Sequence, residues 1–79
     1  MYARGKPCQF TKHAYEGLRA ERPPIDLEEI AMVLEEAEHD DGATAYRWIQ
    51  TRTVIIRYIE REDYIRIRSV SATRSRLST

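Results

Sequence analysis

Hydrophobic positions in the first half of the chain recur every three or four residues, whereas those in the second half alternate with polar ones, so the sequence predicts helices first and strands afterwards. The hydroxyl of Thr11 suits an N-cap, and a helix is predicted from about Lys12 to Glu21 with Ala14, Tyr15 and Leu18 on one face. Gly17, in its middle, costs about 1 kcal/mol relative to alanine, so this helix must lean on tertiary contacts. Pro23-Pro24 ends it, because neither residue has an amide to donate. Asp26, with Glu29 three residues later, has the spacing of a capping box and predicts a second helix to about Glu38. Its inward stripe is Leu27, Ile30, Ala31, Leu34 and Ala37, and its outer face carries Glu28, Met32, Glu35 and Glu36. The exit loop is His39-Asp40-Asp41-Gly42, with Gly42 free to take positive φ and His39 a partner for the helix C-terminal dipole.

Polar clusters at Gln50–Arg52 and Glu60–Asp63 divide the alternating half into three strands, about Ala45–Ile49, Thr53–Ile59 and Tyr64–Ser71, in an antiparallel meander. Cys8–Phe10 adds a short strand at the edge. Parity then points Tyr46, Trp48, Val54, Ile56, Tyr58, Ile65 and Ile67 toward the helices. The other parity collects Arg47, Arg57, Arg66 and Arg68 with Tyr64, Ile49, Ile55 and Ile59. The expected fold is α+β, with two helices packed on one face of a three- to four-stranded antiparallel sheet.

The chain of 79 residues has room for one domain, with an ordered core over about residues 9–71 and a flexible basic tail over 72–79 that carries Arg74 and Arg76. Hydrophobic residues at 42% and a net charge of zero exclude a disordered chain. No apolar run approaches the length of a membrane span, and the N-terminus has no apolar stretch of signal-peptide length, so a soluble, cytoplasmic protein is expected. The zero net charge hides a dipole. Residues 1–22 hold five Lys/Arg against two Asp/Glu, residues 23–41 hold eight acids and no base, and residues 42–79 hold eight bases against three acids. Eleven of the thirteen bases are arginine, whose planar fork suits phosphate or carboxylate.

Candidate chemistry is narrow. One cysteine, Cys8, leaves no intramolecular disulfide, and His13 and His39 lack the neighbours of a zinc site. There is no glycine-rich phosphate loop, nucleophile elbow, paired acids or cofactor fingerprint, so neither cofactor nor metal is expected. What remains is the open sheet face. Four arginines, an aromatic and several aliphatics form a surface on which phosphates and stacked bases are both held, or a solvated face whose arginines pair with Glu60, Glu62 or Asp63. His13, in the first helical turn, is the one sensible general acid or base, because histidine exchanges protons near neutral pH. Since its helix covers the opposite face, it reaches the arginines only at a sheet edge.

Thr11-Lys12-His13-Ala14 before the first helix, and Ser71-Ala72-Thr73-Arg74 after the last strand, resemble segments of small proteins of the RelE-like toxin superfamily. The first resembles a branch that opens with Thr-x-His-Ala; the second resembles the ending of the BrnT-like toxins. The likeness covers about residues 9–76. It implies a helix pair on one face of a twisted antiparallel sheet, RNA on the other face, and an antitoxin segment that covers that surface. Together with the reading of the open face, it makes a metal-independent endoribonuclease the expected activity, with His13, Arg57, Tyr64 and Arg66 as its catalytic candidates and Arg47, Arg57, Arg66, Arg68, Arg74 and Arg76 as its RNA-binding candidates. The alternative is a non-enzymatic interaction module, monomer or homodimer, that uses the same face to dock an antitoxin-like partner or a second copy of the chain.

Overall fold

The computed structural model describes residues 1–21, 23–37 and 46–73. In chain order these form β1 (Tyr2–Ala3), β2 (Lys6–Phe10), α1 (Lys12–Ala20), α2 (Leu27–Glu36), β3 (Tyr46–Gln50), β4 (Val54–Glu60) and β5 (Ile65–Ala72). The strands build one sheet in the order β1-β2-β5-β4-β3, antiparallel except that β2 runs parallel to β5. The architecture is α+β with both helices packed into a single core on one face. The sheet is five-stranded and mixed, which corrects the expectation of three or four antiparallel strands. Both helices, α1 ending at Ala20 and α2 at Glu36, close slightly before the predicted bounds. The exit loop with His39 and Gly42, and the basic tail with Arg74 and Arg76, lie outside the described residues.

The two additional features of the sheet come from one turn. Arg4 and Gly5 take φ of 56° and 73°, the doubly positive geometry that two-residue hairpins favour because it matches strand twist. Glycine adopts this without strain; arginine does not, and Arg4 is held there by its side chain. Its Nε donates to the Leu34 carbonyl at 2.7 Å, one Nη to the Ala37 carbonyl at 3.2 Å and the other to Glu60 at 2.6 Å. The hairpin is thereby tied to the C-terminal end of α2, where carbonyls lack helical partners and a cation is favoured. Strand β2 lies between β1 and β5, but β1 covers only Lys6, Pro7 and, through the Met1 carbonyl, the Cys8 amide at 2.9 Å; Gln9 and Phe10 pair with β5 alone, at the sheet edge as expected.

The core gathers Ala14 and Leu18 of α1, Ile30 and Leu34 of α2, and Val54, Ile56, Tyr58, Ile65, Ile67 and Val70 of the sheet. Tyr15 (49% exposed) and Leu27 (44%) were expected inside but stay wet, and Val33 packs against the core instead. Arg19 lies 5.9 Å from the Tyr15 ring, which covers part of it. The expected capping box is not formed. Asp26 makes no side-chain cap bond, and Glu29 accepts from the Thr53 hydroxyl at 3.1 Å, fastening α2 to the turn between β3 and β4. Thr11 does cap α1, its Oγ1 accepting from the Ala14 amide at 3.1 Å. Gly17 sits where α1 crosses β5, and a Cβ there would lie 2.5 Å from the Val70 carbonyl oxygen. No helix among the described residues is long and apolar enough to cross a membrane.

Candidate functional site

The face of the sheet away from the helices carries Arg57, Arg66 and Arg68, as parity predicted, but not Arg47. The turn at Thr51-Arg52-Thr53 decides this. Thr51 Oγ1 accepts from the Thr53 and Val54 amides at 3.2 and 3.0 Å, and the Thr51 amide donates to the Val54 carbonyl at 2.9 Å. That closure sets Gln50 opposite Ile55 and Ile49 opposite the fully buried Ile56. Cross-strand partners share a face, so Ile49 and Arg47 turn inward, and Tyr46 and Trp48 turn outward. The expectation for the first of the three predicted strands is thus reversed along its whole length. Arg47 instead stands 4.0 Å from the Glu60 carboxylate, and Tyr46 and Trp48 are 62% and 64% exposed. Sequence parity missed both rings as surface residues; the Thr-x-Thr turn was the signal that could have placed them.

A second irregularity shapes the site. Arg57 pairs with Ser69 while Tyr58 pairs with Ile67, so Arg68 is an extra residue, a β-bulge in β5. Ile67 and Val70 both reach the core across this bulge, which strict alternation forbids. The bulge brings Arg68 and Ser69 together beside Arg57. Here β2 has already ended, with Phe10 opposite Ile67, so one side of β5 is open from Arg68 onward. Helix α1 begins at that opening. Thr11 donates its amide to the Ile67 carbonyl at 3.0 Å and its hydroxyl to the Arg68 carbonyl at 3.0 Å. One threonine therefore caps the helix and pins its start to the bulge, which leaves His13 beside the arginines at the sheet edge.

Two neighbouring cavities result. One, of about 240 Å³, is lined by His13, Arg57, Arg68 and Ser69. The other, of about 210 Å³, is lined by Tyr46–Trp48, Arg57, Tyr58 and Arg68. The Arg68 guanidinium lies 5.2 Å from the Tyr46 ring centre, within cation–π range. Among the described residues, Arg57, Arg66 and Arg68 make no ion pair with a carboxylate. Like charges this close repel unless an anion meets them. Arg66 shares the face but lines neither cavity, and Tyr64 lies at the β4–β5 turn, four residues or about 13 Å along the strand from Arg68. The expected set His13, Arg57, Tyr64 and Arg66 is thus split: His13 and Arg57 meet, joined by Arg68 and Ser69, and Tyr64 stands apart.

Of the acids expected to neutralise the arginine face, Glu60 acts elsewhere, and Glu62 and Asp63 are exposed and pair with no arginine among the described residues. Glu60, with its side chain 5% exposed, binds Arg4 at 2.6 Å and Lys6 at 3.0 Å on the inner side of the sheet. The cluster receives the inward-turned Arg47, and among the described residues the outer face of the strands keeps Arg57, Arg66 and Arg68.

Cys8 is half-buried between this cluster and the core, and burial pushes its thiol above the ordinary range, an effect only partly offset by the chain's positive N-terminus. Because the thiolate is the nucleophile, Cys8 should react with iodoacetamide at pH 7.5 at least several-fold more slowly than the same thiol in urea-unfolded protein. Equal rates would show that the thiol is neither shielded nor shifted. Among the described residues, no group of three or more His, Cys, Asp or Glu side chains is placed to hold a metal ion. No protein-family model, curated protein or solved structure matches the chain.

Proposed function

We propose that the sheet face bare of helices binds single-stranded RNA, as in RelE-like proteins, and that the edge cavity cleaves it without a metal. The observation that carries this is the meeting of three arginines, paired with no carboxylate among the described residues, with two exposed aromatic rings on one surface. Guanidinium groups hold backbone phosphates, and aromatic rings stack bases that a single strand leaves unpaired. For cleavage, His13 removes the proton of a ribose 2′-hydroxyl. The freed oxygen attacks the adjacent phosphorus, and the bond to the 5′-oxygen breaks. That oxygen takes a proton from water, the hydroxide so formed takes the proton back from His13, and a 2′,3′-cyclic phosphate and a 5′-hydroxyl remain. Arg57 and Arg68, on the same cavity, hold the charge that builds on the phosphoryl oxygens.

The test is a titration of the full chain with a fluorescent single-stranded RNA. Affinity should fall with salt at a log–log slope of about −0.7 per phosphate contacted, and the double reversal Arg66→Glu/Arg68→Glu should abolish binding at ~50 mM salt. Both side chains are exposed, so the reversal leaves the core intact. Unmeasurable affinity of the natural sequence, or an affinity that ignores the reversal, refutes RNA binding. Cleavage of an RNA pool in EDTA, lost in His13→Ala, tests the chemistry separately. A second reading, a protein-docking module, is favoured by Tyr46 and Trp48 lying exposed on β3, at the end of the strand order. It predicts a dimer or a bound acidic peptide at this face, with no response to RNA.

A further inference from the structure

The two cavities share Arg57 and Arg68, and they differ in what else they offer. One adds the rings of Tyr46 and Trp48; the other adds an imidazole and a hydroxyl. Strand register fixes their relation. Trp48 on β3, Arg57 on β4 and Ser69 on β5 form one cross-strand row. At about 4.8 Å between strands, the row spans roughly 10 Å from the backbone of Trp48 to that of Ser69, a reach on the scale of one nucleotide. Each cavity alone is smaller than the roughly 300 Å³ at which sites for whole small molecules begin, so each suits one moiety.

From this juxtaposition we infer that the two cavities are halves of a single nucleoside-monophosphate site, with the base against Trp48 and Tyr46 and the phosphate among Arg57, Arg68, His13 and Ser69. The inference rests on the RNA-binding proposal and narrows it to one nucleotide unit with a defined direction across the strands. Arg57 is its hinge: it stands between ring and hydroxyl in the row and lines both halves. Arg68, left without a cross-strand partner on β4 by the bulge, closes the phosphate half while its guanidinium covers Tyr46. The site discriminates by requiring both moieties, because the phosphate half holds cations that an anion relieves and the base half holds the exposed Trp48 ring, on which a flat base stacks.

Two reporters lie inside it. Trp48 is the chain's one tryptophan, so its fluorescence reads the base half alone, and the His13 imidazole resonance, identified with His13→Gln, reads the phosphate half. The full chain is titrated with a nucleoside 3′-monophosphate, a nucleoside 5′-monophosphate, the nucleoside and inorganic phosphate. At least one monophosphate should move both reporters with the same midpoint. The nucleoside should bind at least tenfold more weakly, and inorganic phosphate should move His13 while leaving Trp48 unchanged. Trp48→Ala, at an exposed position that folding does not need, should weaken the monophosphate by about tenfold, the order of one base stacked on an aromatic ring. The labelled RNA should displace the monophosphate.

Separate midpoints for the two reporters, or nucleoside and monophosphate binding alike, overturn the joint site. RNA binding with no response of His13 to any monophosphate overturns it too, while leaving the arginine face as an RNA surface. A monophosphate that moves both reporters when RNA does not bind upholds the site and refutes the RNA proposal instead, making the ligand a free nucleotide.

Discussion

Replacing Glu60 with alanine is expected to destabilise the protein by about 3 kcal/mol, because it removes the carboxylate that several inward-turned cations share. Its carboxylate is 5% exposed, and Arg4, Lys6 and Arg47 around it are 11%, 23% and 17% exposed. A pair at the surface contributes at most about 1 kcal/mol, since water replaces either partner. Here water has little access, and loss of the acid leaves like charges facing one another. Arg4 would also lose the contact that helps hold its positive φ, so the β1–β2 hairpin should loosen with it. For a domain of this size, 1 kcal/mol moves Tm by about 4–8 °C, which puts the expected fall above about 10 °C. Glu60→Gln, which keeps an acceptor for Arg4 and Lys6, should fall between alanine and the natural sequence. RNA affinity of the folded protein should hold, because Arg4, Lys6 and Glu60 line neither cavity and Arg47, which borders the one beside Tyr46 and Trp48, shares the inward face of its strand. A fall of less than about 4 °C would mean that the cluster behaves as an exposed pair does.

The residues that carry local physics were legible in the sequence, and those set by pairing were not. Thr11 announced α1 because a cap acts within one turn of chain, and Pro23-Pro24 ended it for the same reason. The two helices, the three long strands and the outward parity of Arg57, Arg66 and Arg68 follow from periodicity alone. Trp48 and Tyr46 do not, because a strand's parity relative to its neighbour depends on turn closure, and a one-residue difference exchanges its faces. The pattern Tyr-x-Trp looked like a core stripe by ring size. Ile49, the smaller side chain, takes the core position opposite Ile56, and the aromatic pair goes to the surface. The Arg4-Gly5 turn was missed because arginine seldom takes positive φ, and only the carbonyls of α2 and the Glu60 carboxylate make it tenable there. Ser69 could not be found, since a bulge leaves no mark in an alternating stretch until its partner strand is in place. The site residues that sequence reasoning lacked are thus those that depend on register.

Gly17 shows how closely stability and the candidate site are linked. On helix propensity alone, Gly17→Ala should stabilise α1 by about 1 kcal/mol. The added Cβ, however, would meet the Val70 carbonyl oxygen at 2.5 Å, and a backbone oxygen inside a strand has no rotamer by which to withdraw. Relief requires α1 to lift from β5, with overpacking costs of about 1–3 kcal/mol, and the clash with backbone places this case at the upper end. The expected net result is a loss of about 2 kcal/mol, seen as a Tm lower by about 8–16 °C. The same lift should strain the two hydrogen bonds by which Thr11 fastens the start of the helix to Ile67 and Arg68. His13 would then move away from Arg57 and Arg68 while the arginines stay on the sheet. Single-stranded RNA should therefore still bind to folded Gly17→Ala protein within a few-fold, whereas cleavage in EDTA should fall by more than tenfold. Gly17→Ser, with a similar Cβ, should behave in the same way. A raised Tm would show that helix propensity outweighs the contact and that α1 lies farther from β5. A lowered Tm with undiminished cleavage would separate His13 from the chemistry, since the helix that positions it would have shifted without effect.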